Sequence, residues 1–280
     1  MPEDGKLRFF FCIGVQKSGT TILARVLDQH PKIACIWESY ALKPRAGASI
    51  LNLQSASWRR HGFKRRKVER WAASWGGRPR ALMRRFVRRL AGRDYLGMIA
   101  FRKTMPYMLA DFAQRCGASV VGDKWPWYID YLEETMAIFP HAKFIYNVRD
   151  PRGIWNSAQR FKQRQRGDEI LQEMLEKDRQ VSPYLDLPNF FTLRFRDLVC
   201  QPEKTCRKLY AFLGCDFKKE YLRYRPDADP YPERWHWIPE ASGPIDPWHA
   251  RKWQEEVEPG IRARITEEAG WFIEKYGYKL

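Results

Sequence analysis

The segment FFFCIGVQKSGTT, Phe9 to Thr21, holds the residue types best suited to gripping an anion. An apolar run leads into a loop containing Gly14, Lys17, Ser18, Gly19, Thr20 and Thr21, and apolar residues follow at helical spacing at Ile22, Leu23, Val26 and Leu27. Strand, glycine-bearing loop and helix bring unpaired N–H groups and the partial positive charge of a helix start around a phosphate-sized space. Lys17 adds a full positive charge inside the same loop.

Gly14 and Gly19 have the GxxxxG spacing of a nucleotide-triphosphate loop, but that motif continues with Lys and Ser/Thr where this chain has Thr20 and Thr21. The lysine stands earlier, within the loop, so the pocket suits a shorter 5′ group with a cation beside the bond to be broken. A second segment, FIYNVRDPRGIWNS, Phe144 to Ser157, reads as a buried strand followed by a helix with Pro151 in its first turn. KSGTT after a first strand resembles the 5′-phosphosulfate loop of the sulfotransferases that use 3′-phosphoadenosine 5′-phosphosulfate (PAPS). Arg149 and Ser157 in the second segment resemble that family's pair for the 3′-phosphate, a task suited to arginine because its planar fork pairs with phosphate oxygens.

The resemblance implies roles for named residues. Lys17 contacts the leaving phosphate and the transferred group, where an ammonium stabilises charge that builds in the transition state. Ser18, Gly19, Thr20 and Thr21 supply donors to the 5′-phosphate, although Thr20 and Thr21 also suit helix caps. HPKIACIWES, His30 to Ser39, resembles the tyrosylprotein sulfotransferase segment whose glutamate is the general base, which makes Glu38 the candidate here. The alternative for Glu38 is a surface carboxylate or a partner for an arginine. Lys124 in VVGDKWPWY resembles the family's second lysine, with a salt bridge to neighbouring Asp123 as the alternative. In LRFRDLVCQP, Phe195 stands where the family has a tyrosine beside the adenine; it can pack on the base but has no hydroxyl to donate, and core packing is the alternative. Arg251 and Lys252 resemble the basic segment that closes over the nucleotide, with a helix-flanking charge pair as the alternative. His141 reads as a surface residue at a helix–strand turn. No metal is required on this reading, because two lysines provide the positive charge.

Elements able to position these residues can be read from the pattern. Strands are expected at Arg8 to Ile13, Lys32 to Ile36, Ser119 to Val121, Phe144 to Val148 and Phe190 to Arg194. Helices are expected at about 20–29, 102–116, 127–139, 151–164, 168–180, 202–213 and 259–276. The alternation predicts an α/β fold, a P-loop-like parallel β-sheet flanked by helices on both faces. Ligands in such sheets bind at the carboxyl ends of strands, which Lys17, Glu38, Lys124 and Arg149 follow.

The chain has 280 residues, 44% of them apolar, which suits one sulfotransferase domain over 1–280. Its net charge of +17 is uneven: sixteen Lys and Arg face only Glu69 and Asp94 between Arg59 and Lys103. This marks a basic helical insertion at about 54–103 between the second and third strands. Within it Arg80 to Leu90 reads as an amphipathic helix. Its basic face is either simply solvated or a surface for an anionic or lipid-linked acceptor or a membrane; nucleic acid is disfavoured for want of a recognised binding signature. No apolar run reaches transmembrane length, and MPEDGKLR lacks a signal-peptide core, so a cytoplasmic protein is expected. The six cysteines lack CxxC spacing and read as mostly buried, reduced thiols. Trp125, Trp127, Trp235, Trp237 and Trp248 fall near expected loops and suit either a flat apolar pocket or the core.

The expected activity is transfer of a sulfuryl group from PAPS to a hydroxyl or amine of a glycan, glycolipid or other small molecule. A P-loop-type nucleotide-dependent kinase is the rival enzyme. A non-catalytic basic membrane or nucleic-acid adaptor on the same fold is the rival of another class.

Overall fold

The computed structural model describes residues 7–39, 105–160, 166–225 and 243–279. The basic insertion with Arg80 to Leu90, and Trp235 and Trp237, lie outside the described residues. In chain order the elements are β1 (Arg8–Gly14), α1 (Thr20–Asp28), β2 (Ile33–Trp37), α2 (105–116), β3 (Val120–Lys124), a 3₁₀ turn (Pro126–Tyr131), α3 (Leu132–Ile138), β4 (Lys143–Val148), α4 (Pro151–Arg160) and α5 (Gly167–Val181). They continue with β5 (Phe190–Arg194), α6 (Phe195–Cys200), α7 (Pro202–Leu213), α8 (Trp248–Arg251), α9 (Trp253–Glu256), α10 (Pro259–Glu268) and α11 (Gly270–Lys275). Every strand lies in a parallel pair, and helices alternate with the strands, as the α/β reading expects.

The described residues group into two compact units. Residues 8–30 with those from 126 onward form the larger, and 31–39 with 105–125 belong to the other. In the larger unit β4 lies between β1 and β5, pairing Gly14 with Asn147 and Val148 with Arg194. Phe10 to Ile13 and Phe144 to Ile145 are fully buried, a continuous apolar run of the kind that marks a strand covered on both faces. The register sets Phe11, Phe144 and Phe190 side by side, with ring centroids 5.7 and 4.9 Å apart. Each ring is worth roughly 1.5–3 kcal/mol by burial, so this row fixes the strands whose carboxyl ends carry the site.

In the smaller unit β2 and β3 pair from Ile33 with Val120 to Trp37 with Lys124. Met105, Met108, Leu109, Phe112 and Ala113 of α2 are buried at helical spacing. The third strand is longer than Ser119 to Val121. Gly122 and Asp123 have low strand propensity, but pairing with Cys35 and Ile36 overrides it and carries the strand to Lys124. Two other expected helices are split. The 127–139 helix divides at Tyr131, which leaves helical conformation (φ −131°, ψ 30°), and the 259–276 helix divides at Ala269 before Gly270.

Of the cysteines, Cys12, Cys35 and Cys206 are buried, but Cys116 and Cys200 are exposed. Those two are helix-end residues, and the expected burial does not extend to them. His141 is exposed in the turn before β4, as expected. Among the described residues no helix is long and apolar enough to cross a membrane.

Candidate active site

The anion loop is built from its glycines outward. A β-carbon on Gly14 would lie 2.9 Å from Asn147 O, and one on Gly19 would run into the Phe195 ring, so a larger residue at either position would force its neighbour to shift. Gly19 is the N-cap of α1, with φ 98°, and no side chain caps the helix. Thr20 and Thr21 are therefore the first helical residues and not caps. The first turn has no acidic residue, which leaves its partial positive charge uncancelled. Ser18 is fully buried; its N–H and its hydroxyl both donate to Val15 O, at 3.3 and 2.8 Å. Its single O–H is thus used to close the loop. The helix-start amides of Gly19, Thr20 and Thr21, with Lys17 in the same loop, make this turn the positive end of α1. Asn147 Nδ2 donates to Ser18 O at 2.5 Å, tying the loop to β4.

Arg149 leaves the carboxyl end of β4 beside that loop. Its guanidinium donates to Lys17 O at 2.9 Å and to His249 O at 3.1 Å, and its Cζ stands 4.4 Å from the centre of the Phe195 ring. Phe195 is buried against Gly19 and Arg149, so its ring braces the loop and the guanidinium. The next residue, Asp150, accepts from Arg152 N at 3.0 Å and so caps α4, with Pro151 in the first turn. Arg152 returns two side-chain bonds to the same carboxylate and lies over Trp253. Ser157 is half-buried further along α4. Arg251 is exposed at the end of α8, and Lys252 lies 5.3 Å from the Trp248 ring centre. This segment reaches Arg149 through His249, a contact made by its backbone.

In the smaller unit Glu38 and Lys124 meet. Lys124 Nζ donates to Glu38 Oε1 at 2.6 Å, and Glu38 N donates to Lys124 O at 2.9 Å. Lys124 is 1% exposed, whereas the Glu38 side chain keeps 26% of its surface, so the carboxylate is the solvent-facing member. The suggested bridge from Lys124 to Asp123 is replaced by this pair. Side chains of consecutive strand residues point to opposite faces. Asp123, fully buried, instead accepts from Ser39 N at 3.3 Å and from Ser39 Oγ. Glu38 has φ 59° and Lys17 has φ 65°; among the described residues they are the non-glycine positions with positive φ. Backbone strain of this kind gathers at functional positions.

A model of the sulfotransferase family matches residues 10–219. The chain belongs to the sulfotransferase family. The match takes in the sulfotransferase loop, Glu38, Lys124, Arg149, Ser157 and Phe195. Curated relatives include the omega-hydroxy-beta-dihydromenaquinone-9 sulfotransferase Stf3 of Mycobacterium tuberculosis and of Mycobacterium bovis. Each is 29% identical over 160 residues, which are 51% of this chain and 37% of the relative. The match thus spans less than half the length of those sulfotransferases. Among solved structures, the sulfotransferase domain of the Synechococcus PCC 7002 olefin synthase covers 100% of this chain and 98% of its own, at 20% identity and a TM-score of 0.65. The sulfotransferase domain from the curacin biosynthetic pathway covers 98% of both, at 18% identity and 0.62. These likenesses show the sulfotransferase fold.

The sequence pointed to Lys17, Glu38, Lys124 and Arg149, and each lies at or just after the carboxyl end of its strand. It missed the residues that hold them: Asn147 on the loop, Asp123 with Ser39 beside Glu38, and His249, whose carbonyl meets Arg149. Only the NVRD and GDK strings, polar residues ending apolar strands, offered a signal. Trp125 is buried and Trp127 and Trp248 are half-buried. A groove of about 740 Å³ lies by Arg152, Trp253, Arg262 and Thr266, against the Asp150–Arg152 pair and not the anion loop.

Proposed function

We propose that this sulfotransferase moves a sulfuryl group from PAPS to an acceptor hydroxyl (or amine), with Glu38 as base. The observation that carries this reading is the closeness of Arg149 to the loop, 2.9 Å from Lys17 O. Two anion anchors side by side match a nucleotide phosphorylated at both the 5′ and 3′ positions. The amides of Gly19, Thr20 and Thr21 would take the 5′-phosphate, and Arg149 with Ser157 the 3′-phosphate. The exposed Arg251 and the half-buried Lys252 would add charge over the nucleotide. Phe195 is assigned to bracing Arg149 and not to an adenine hydrogen bond, since it has no hydroxyl.

In the transfer, the acceptor oxygen bonds to sulfur as the bridge from sulfur to the 5′-phosphate oxygen breaks. The bond electrons remain on the phosphate, where Lys17 stabilises them. Lys124 offers a second cation for the transferred group. Glu38 takes the acceptor proton, and the products are a sulfate ester and adenosine 3′,5′-bisphosphate. The two lysines replace a metal in this scheme. Turnover that EDTA abolishes and Mg²⁺ restores would count against it.

The acceptor proposed is a hydroxyl on a lipid-linked or anionic molecule, a glycolipid or hydroxylated isoprenoid lipid ahead of a free glycan. The basic segment 54–103 supports this, as does the curated relatives' name, which specifies a hydroxylated menaquinone. Cytoplasmic location with peripheral membrane contact belongs to the same reading. The test is an acceptor screen with labelled PAPS across hydroxylated isoprenoid quinones, glycolipids, glycans, phenols and peptides. Label appearing only on free glycans, phenols or peptides would overturn the lipid-linked part; label on none, with no bisphosphate binding, would overturn the donor assignment.

A further inference from the structure

The hydrogen bond from Arg149 to Lys17 O does something that recognition of a 3′-phosphate does not need. Lys17 holds a left-handed backbone, φ 65°, which a β-carbon disfavours. Such a conformation persists when its surroundings over-determine it. Two consecutive carbonyls here are tied to the end of β4: Lys17 O by Arg149 at 2.9 Å and Ser18 O by Asn147 Nδ2 at 2.5 Å. The Phe195 ring, 4.4 Å from Arg149 Cζ and against Gly19, holds the guanidinium in register with the loop.

We propose that Arg149 is a positioning residue for Lys17 in addition to being the anchor of the 3′-phosphate. By holding the Lys17 carbonyl it maintains the left-handed turn that directs the Lys17 ammonium and the amides of Gly19 and Thr20 toward the 5′ group. One guanidinium can do both, because five N–H donors in a rigid fork serve two carbonyls and a phosphate together. An ammonium, as a point charge on a flexible stem, cannot hold that set. The inference rests on the PAPS reading of the site and deepens it. Recognition at the 3′ end and the geometry at the 5′ end run through a single side chain.

The consequence is a loss for ligands that have no 3′-phosphate. If Arg149 served only that phosphate, Arg149→Ala would lower bisphosphate affinity to the AMP level and leave AMP unchanged. As a brace, it weakens AMP as well. The full chain, as wild type, Arg149→Ala and Phe195→Leu, is titrated calorimetrically with adenosine 3′,5′-bisphosphate and with AMP. Native-state hydrogen exchange of the Ser18 amide, which closes the turn on Val15 O, is followed without ligand. Arg149→Ala is expected to weaken AMP about tenfold or more, the scale of one charge-assisted hydrogen bond, and to speed Ser18 exchange by a similar factor. Phe195→Leu keeps the guanidinium but removes its stacking plane, and shifts both readings the same way by less. AMP affinity and Ser18 exchange within twofold of wild type in Arg149→Ala overturn the proposal. If that variant does not fold, the same null result in Phe195→Leu overturns it. A wild type that binds bisphosphate and AMP alike would defeat the PAPS reading instead, and the exchange arm would still decide whether Arg149 braces the loop.

Discussion

Lys124 Nζ donates to Glu38 Oε1 at 2.6 Å, and the backbone of the same two residues is joined by Glu38 N donating to Lys124 O. The strands β2 and β3 thus end in a pair of opposite charges locked in side chain and in main chain. Parallel register sets Trp37 opposite Lys124, so the first residue past β2 falls within reach of the lysine. The left-handed turn at Glu38 then brings its carboxylate onto the ammonium.

Glu38→Gln keeps shape and hydrogen-bonding reach to Lys124 but cannot take a proton. Turnover at saturating acceptor is expected to fall by about 10²–10⁴-fold, the usual range for losing a general base, with bisphosphate affinity little changed. A near-normal saturated rate would place the base elsewhere.

Lys17→Met should lower turnover by roughly 10²-fold or more, as for the loss of an oxyanion-type donor. Single-turnover rates with labelled PAPS measure this apart from product release. An undiminished rate removes Lys17 from the mechanism.

Gly19→Ala tests the loop. The added methyl would run into the Phe195 ring at a φ of 98°, so both sterics and backbone oppose it. Bisphosphate binding is expected to fall at least tenfold, through displacement of the ring that Arg149 lies on. Unaltered affinity in the folded variant would show that the Gly19–Phe195 contact is not needed.

Asp123→Ala removes a fully buried carboxylate and leaves the Ser39 amide and hydroxyl without it. A stability loss of about 1–3 kcal/mol is expected, the cost of abandoning buried hydrogen-bonding groups. Chemical denaturation midpoints of wild type and variant give the comparison. A loss below 0.5 kcal/mol, roughly the ordinary surface range, would mean the Ser39 groups find water.

Alkaline pH should expose a second buried network. Burial, followed by the charge of Asp178, raises the Tyr146 phenol; burial and the hydrogen bond to Asp178 raise that of Tyr276. Both hydroxyls donate to Asp178 Oδ1, at 2.9 and 2.5 Å. Folded values above the ordinary one of about 10 mean that the unfolded chain loses these protons first. Their stabilising contribution is complete below about pH 10 and declines as pH rises past it. Phenolate absorbance and ellipticity recorded together should show these two tyrosines ionising with unfolding. Their ionisation in a still-folded protein would contradict the assignment.

Much of this protein was legible along the chain because the determining interactions are local. Apolar runs long enough to be covered on both faces marked β1 and β4, and Pro151 marked the start of α4. KSGTT marked an anion loop, since glycine spacing and helix-start amides act over a few residues. Glu38 and Lys124 could be nominated one at a time but not joined: they are 86 residues apart, and the register of β2 on β3 decides that they meet. Sequence propensity also stopped β3 before Lys124, because Gly122 and Asp123 disfavour a strand until a partner strand supplies their hydrogen bonds. The left-handed turns at Lys17 and Glu38 had no sequence signature at all. They are held by Arg149, Asn147, Asp123 and Ser39, whose bonds exist only once distant segments are packed, and tertiary packing alone can sustain a backbone that the residue's own sterics oppose.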